Sequence, residues 1–99
     1  MANSTVTNPI YLDTFTADIE ISLTPITVKA ITMWTDNSET RFLLEDVNGV
    51  TCVALGRGGI ASTGVEFGDE GFTFQKGLIC DVSDCDKVDG KARVCIYLK

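Results

Sequence analysis

The chain has 99 residues, enough for one domain with one hydrophobic core and little spare stability. Its hydrophobic fraction of 44% excludes wholesale disorder, and no apolar run is long enough to span a bilayer, so no membrane is expected as a partner. The net charge of −6, with the basic residues scattered and none before Lys29, lacks the clustered cations that a phosphate backbone needs, so no nucleic acid is expected either.

Residues 1–9 are polar and rich in Thr, Asn and Ser, and read as a flexible N-terminal arm ahead of a single domain over residues 10–99. The N-terminus has no basic start and no apolar h-region, so no secretory signal is read and a cytoplasm is the expected compartment. Ile10 to Phe15 is a short strand candidate. Asp18 to Leu23 alternates acid or Ser with Ile or Leu, the pattern of a half-buried edge strand. Thr24 to Trp34 is the longest β-favouring run, with Pro25 confined to its start because proline cannot donate to a ladder. Strict alternation puts Ile26, Val28, Ala30 and Trp34 on one face, which buries Trp34, and Thr27, Lys29, Ile31 and Met33 on the other.

Asp36-Asn37-Ser38 is a turn signal. Arg41 to Val47 and Val50 to Leu55 flank Asn48-Gly49, the strongest short hairpin signal, because a type I′ turn needs positive φ at both central positions. That turn sets Phe42 against Leu55 and Leu44 against Val53 on the core face, with Glu45 and Cys52 paired on the other. Gly56-Arg57-Gly58-Gly59 breaks the pattern. Val65 to Phe67 and Phe72 to Phe74 are short strands about the turn Gly68 to Gly71. Leu78 to Val82 and Ala92 to Leu98 read as a last hairpin, with Cys80 against Val94, Leu78 against Ile96 and the opposite charges Asp81 and Arg93 paired. No segment has helical periodicity. About seven or eight short strands with regular turn signals give an all-β fold, an antiparallel β-sandwich or jelly-roll-like arrangement.

The chemistry-bearing residues are sparse. Asp81, Asp84, Asp86 and Asp89 lie in one loop, but Asp89 is one position late for a calcium loop and no Glu follows, so the loop reads as a solvated tip. Cys80 and Cys85 form a single C-x4-C with no histidine anywhere, a poor match to zinc; with Cys52 and Cys95 they read as free, small core or edge thiols. The Gly56–Gly59 run lacks a following helix to cradle phosphate, and Asp69-Glu70 sit adjacent on a turn and do not converge. Trp34 with Tyr11 or Tyr97 could make a sugar platform, although lone aromatics in strands are more often core or interface anchors. No base, nucleophile elbow or activated thiol is visible. The chain reads as a non-enzyme, with no catalytic, cofactor-binding or metal site.

The stretches Thr24-Pro25-Ile26-Thr27-Val28-Lys29-Ala30-Ile31 with Trp34, Phe42 to Gly49, Val65 to Leu78 and Val94 to Leu98 resemble the pattern of small phage virion proteins. The four cysteines and the Asp-rich loop stand outside that pattern. The resemblance implies a capsid decoration or cement protein that binds the major capsid protein, acts as a homo-oligomer (dimer or trimer) and resides in a virion assembled in the host bacterial cytoplasm. A neck, tail or head-fibre component is the near alternative. A carbohydrate-binding β-sandwich, which requires an exposed Trp34, and a metal or enzyme module using the cysteines are the others.

Overall fold

The computed structural model of the chain describes residues 3–5, 7–37, 39–56 and 62–99. Its strands are β1 (Ile10–Leu12), β2 (Ile19–Ser22), β3 (Ile26–Thr35), β4 (Arg41–Glu45), β5 (Thr51–Gly56), β6 (Ser62–Glu66), β7 (Phe72–Phe74), β8 (Leu78–Cys80) and β9 (Ala92–Leu98), with a 3-10 turn at Val82–Asp84. They form two antiparallel sheets, one ordered β1-β9-β3-β6 with β7 also on β3, the other β2-β8-β4-β5. The all-β sandwich expected from the sequence is present, with nine strands among the described residues rather than seven or eight.

The longest apolar run does become the central strand: β3 pairs with β9 along one side and with β6 and β7 along the other. Its alternation is not strict. Val28 lies opposite Leu98 and Ala30 opposite Tyr97, so Lys29 is an extra residue, a β-bulge. An extra residue reverses every side chain beyond it. Val28, Ile31, Met33 and Thr35 therefore face the core, and Trp34, expected to be buried with Val28, is 43% exposed. The Lys29 carbonyl accepts the Phe67 N–H at 2.8 Å, which fixes the bulge to the chain leaving β6.

β6 and β7 are two halves of one edge strand. Both run antiparallel to β3, β6 against Ala30–Trp34 and β7 against Ile26–Val28, and residues 67–71 loop out between them. Phe67, Phe72 and Phe74 close this end of the sandwich as a ring cluster with centroids 4.9 to 5.8 Å apart. Gly77, at φ +76°, sits where an added Cβ would run into the Ser22 carbonyl, so the close approach of β2 to the turn before β8 requires glycine.

The β4–β5 hairpin has the expected core register, Phe42 with Leu55 and Leu44 with Val53. Its turn is not the two-residue I′ type. Only Gly49 has positive φ, Gly49 N–H bonds the Asp46 carbonyl at 3.0 Å, and Asp46 N–H bonds the Val50 carbonyl at 2.9 Å. This is a three-residue loop closed by a left-handed glycine. Asp46 Oδ1 also accepts from the N–H groups of Asn48 and Val50. The longer loop shifts the pairing by one residue, so Glu45 pairs with Thr51 and Cys52 is left unmatched. Glu45 alternates with Leu44 onto the outer side of this sheet, opposite Ile79, and is buried there rather than exposed.

The expected last hairpin does not form. β8 pairs with β2 and β4, while β9 pairs with β1 and β3 in the opposite sheet. Leu78, Cys80, Val94 and Ile96 are all buried, but from the two facing sheets. Arg93 pairs with Trp34, and Asp81 caps the 3-10 turn. Across this connection Asp89 Oδ1 accepts the Phe15 N–H, and Thr40 Oγ1 donates to the Lys87 carbonyl while bonded to Thr35 Oγ1 at 2.9 Å.

Asn3, Ser4 and Asn8 tie the N-terminal segment to the body. Asn3 bonds the backbone of Asp13 and Thr14, Ser4 bridges Tyr11 in both directions, and Asn8 bonds both the N–H and the carbonyl of Leu98.

Candidate functional site

The bulge at Lys29 determines what the outer face of the five-stranded sheet presents. Beyond it, Ala30, Thr32 and Trp34 of β3 point away from the core, as do Tyr11 of β1 and Arg93, Cys95 and Tyr97 of β9. The register sets them in rows: Tyr97 and Glu66 flank Ala30, Cys95 and Gly64 flank Thr32, and Arg93 and Ser62 flank Trp34. Tyr11 lies beside Cys95. The middle row is small, Cys95-Thr32-Gly64, between a tyrosine at one end and a tryptophan at the other. A flat floor between two aromatic ends is a surface shaped to be covered.

Gly64 is required in that row. A Cβ there would stand 2.6 Å from the Ile31 carbonyl, so any side chain would push β6 off β3. Trp34 is steadied by Arg93, whose guanidinium carbon lies 5.4 Å from the ring centroid, a cation–π contact. Asp13, Asp36, Lys91 and Arg93 line a shallow hollow beside the indole. Tyr11, Trp34 and Tyr97, the aromatics singled out from sequence, therefore share one face, with Trp34 and Tyr97 43% and 39% exposed.

The cysteines and acids gather elsewhere, on the four-stranded sheet. After β8 the chain leaves the ladder at Asp81, makes the 3-10 turn, and rejoins β4 where Asp86 and Arg41 exchange backbone hydrogen bonds. Between these points Leu43 has no backbone partner from this segment; its N–H donates to Cys85 Sγ at 3.4 Å and its carbonyl accepts from the same sulfur at 3.7 Å. A thiol stands in for the missing rungs. Cys80 and Cys85 have their sulfurs 3.9 Å apart. The hydrogen bond from Cys80 and the Leu43 N–H hold the Cys85 thiol down at about 7, against the opposing effect of burial. That shared bond and burial raise Cys80 instead. Cys52 is exposed and Cys95 half-buried on the outer face, so the four thiols do not converge.

The 3-10 excursion lays Asp81 and Asp84 over Glu45, with one carboxylate oxygen of each within 4.8 Å of the others. Glu45 is pushed up to about 7, first by its hydrogen bond with Asp84, then by burial and by the charges of Asp84, Asp81 and Asp18. Ser83 holds Asp81 low by donating both its hydroxyl and its N–H to Oδ1. Sequence reasoning considered Asp81 and Asp84 but missed Glu45, because the segment that covers it comes from after β8 and not from its own hairpin. Asp86 and Asp89 do not join this group. Asp69 and Glu70 sit exposed on their turn, where Glu70 pairs with Lys99 at 3.0 Å. The Arg57–Gly59 part of the glycine run lies outside the described residues. Among the described residues, no helix is long and apolar enough to cross a membrane.

Searched against known proteins, the chain matches no protein family, no curated protein and no solved structure.

Proposed function

We propose that this chain is a structural protein of a phage particle, of the capsid decoration type, and that it docks on the major capsid protein through the outer face of its five-stranded sheet. The observation that carries the reading is the exposure of Trp34 and Tyr97 at the two ends of a small-residue floor, on a face that strict alternation would have made otherwise. Aromatic anchors about a flat floor are the usual core of a protein interface. The acidic surface suits a basic patch on the shell. Assembly as a dimer or trimer would match the symmetry of shell sites, and repetition over the shell would turn weak contacts into firm attachment. The reading asks for no catalytic group.

The test is binding of purified protein to decoration-free shells, followed by sedimentation. Wild type co-sediments at saturable stoichiometry, and the Trp34→Ala, Tyr97→Ala double variant, still folded, loses most of that binding. Absence of the protein from purified particles, or equal binding by the variant, defeats the proposal.

The exposed indole also favours a second reading, a carbohydrate-binding module, because Trp34 sits beside a hollow lined by Asp13, Asp36, Lys91 and Arg93. It differs from the first by one observation: soluble oligosaccharides quench tryptophan fluorescence if it holds and leave it unchanged if it does not.

A further inference from the structure

We propose that Glu45, Asp81 and Asp84 form a binding site for a hard divalent cation, calcium in preference to magnesium. Three acids near one another on a surface mean little alone. The independent observation is the state of Glu45, which is only 8% exposed and whose carboxylate has no N–H or O–H donor among the described residues except another acid. Buried carboxylates are ordinarily paired with a cation or given donors. Here the surrounding polar groups are Asp84, Asp81 and Asp18. Among the described residues no Lys or Arg forms an ion pair with any of the four.

The backbone holds this arrangement in place. Glu45 is fixed by pairing with Thr51 and Ile79. Asp81 is the N-cap of the 3-10 turn, and Ser83 occupies its Oδ1 at 2.6 and 3.0 Å, which locks the side chain. Asp18, alongside, accepts the Val82 N–H at 3.1 Å and anchors the start of the turn. The acids are thus brought together by ladder, cap and turn in spite of their repulsion.

Cation choice follows from donor type and span. All the donors are oxygens, which selects a hard ion. Ligands on opposite sides of a calcium ion lie about 4.6–5.2 Å apart, against about 4.0–4.2 Å for magnesium. The three oxygens lie within 4.8 Å of one another, inside the span of a calcium shell, whose variable geometry accepts such a set where magnesium demands near-ideal octahedral ligands. With three protein carboxylates and the remaining positions left to water, affinity falls in the weak range, Kd about 10⁻⁴–10⁻³ M.

Thermal unfolding of the purified chain, followed by circular dichroism, tests this directly. Melts are run in EDTA, in CaCl2 up to about 10 mM, in MgCl2 at equal concentration, and in NaCl at matched ionic strength. The expected result is a Tm rise of about 5 °C or more at tenfold excess over Kd with calcium, and a smaller one with magnesium. Glu45→Gln and Asp84→Asn remove one ligand each at nearly constant shape and are expected to abolish the calcium response. Asp84 is exposed, so that variant folds even if Glu45→Gln does not. No calcium shift in wild type, a shift reproduced in full by NaCl or magnesium, or a shift retained by Asp84→Asn overturns the proposal.

Discussion

Deleting Lys29 tests the bulge on which the outer face depends. With the extra residue gone, Val28 still pairs with Leu98 and Ala30 with Tyr97, and strict alternation now keeps Val28, Ile31 and Met33 in the core and Trp34 outside. The deletion loses the hydrogen bond from Phe67 to the Lys29 carbonyl, at about 1 kcal/mol. Deleting Thr32 is the contrasting change. The bulge must then straighten to keep Met33 and Thr35 buried, which turns Ile31 outward and brings Ala30 into its place. Ile31 is fully buried, and putting an alanine at its core site costs about 2–5 kcal/mol. That is a large part of the stability expected of a domain this size, about 5–15 kcal/mol. Lys29→Ala keeps the extra residue and removes only an exposed side chain, so it should change stability by about 0.5 kcal/mol or less. Urea unfolding of the four proteins by circular dichroism separates these outcomes. A Lys29 deletion that costs as much as the Thr32 deletion would falsify the assignment of Lys29 as the extra residue of β3.

Three further expectations follow from single contacts. Gly77→Ala adds a Cβ against the Ser22 carbonyl at φ +76°, whereas Gly49→Ala meets nothing at φ +79°; the first should cost about 3 kcal/mol or more and the second about 1, so equal urea midpoints contradict the packing of β2 on that turn. Thr40→Val strands the Thr35 hydroxyl and the Lys87 carbonyl and should cost about 1–3 kcal/mol, while the Thr35→Val, Thr40→Val pair should cost less than the two single changes together. Additive values in that double-mutant cycle would count against a shared buried pair. Cys85→Ala removes the sulfur that serves both the N–H and the carbonyl of Leu43, with a loss of about 1–2 kcal/mol and faster amide exchange at Leu43; Cys85→Ser should restore part of both, and an unchanged exchange rate in Cys85→Ala rules out the thiol rung.

What could be read from sequence was whatever depends on neighbours in the chain. Phe42 with Leu55 and Leu44 with Val53 were legible because a glycine turn four residues past Glu45 fixes a hairpin's register locally. Asp18 to Leu23 was legible as an edge strand because its acid-apolar alternation matches one wet face. Two errors arise at places where one extra residue resets the pattern. Lys29 moves Trp34 from core to surface, and Cys52, left unmatched, gives Glu45 Thr51 as its partner. Neither residue type is unusual in a regular strand, so nothing in composition marks it. The supposed β8–β9 hairpin failed for a different reason: Cys80, Val94, Leu78 and Ile96 fit equally well as partners in one sheet or as facing layers of two, and the apolar pattern does not distinguish them. The candidate docking face was half legible, since Tyr11, Trp34 and Tyr97 were named together from sequence while the exposure of Trp34 depends on the bulge at Lys29. The Glu45 cluster was not legible, because Asp81 and Asp84 reach Glu45 only through the 3-10 excursion.

The break between β6 and β7 bears on how this chain avoids self-association. An open strand edge is a template on which another chain can lengthen the sheet, and long edges seed fibrils. Here that template is cut after Glu66: five residues of β6, then the 67–71 loop, then three residues of β7. A stray strand could zip only a short distance before meeting the turn at Asp69 and Glu70, both charged and exposed. The interruption thus guards solubility at high local concentration without covering the outer sheet face.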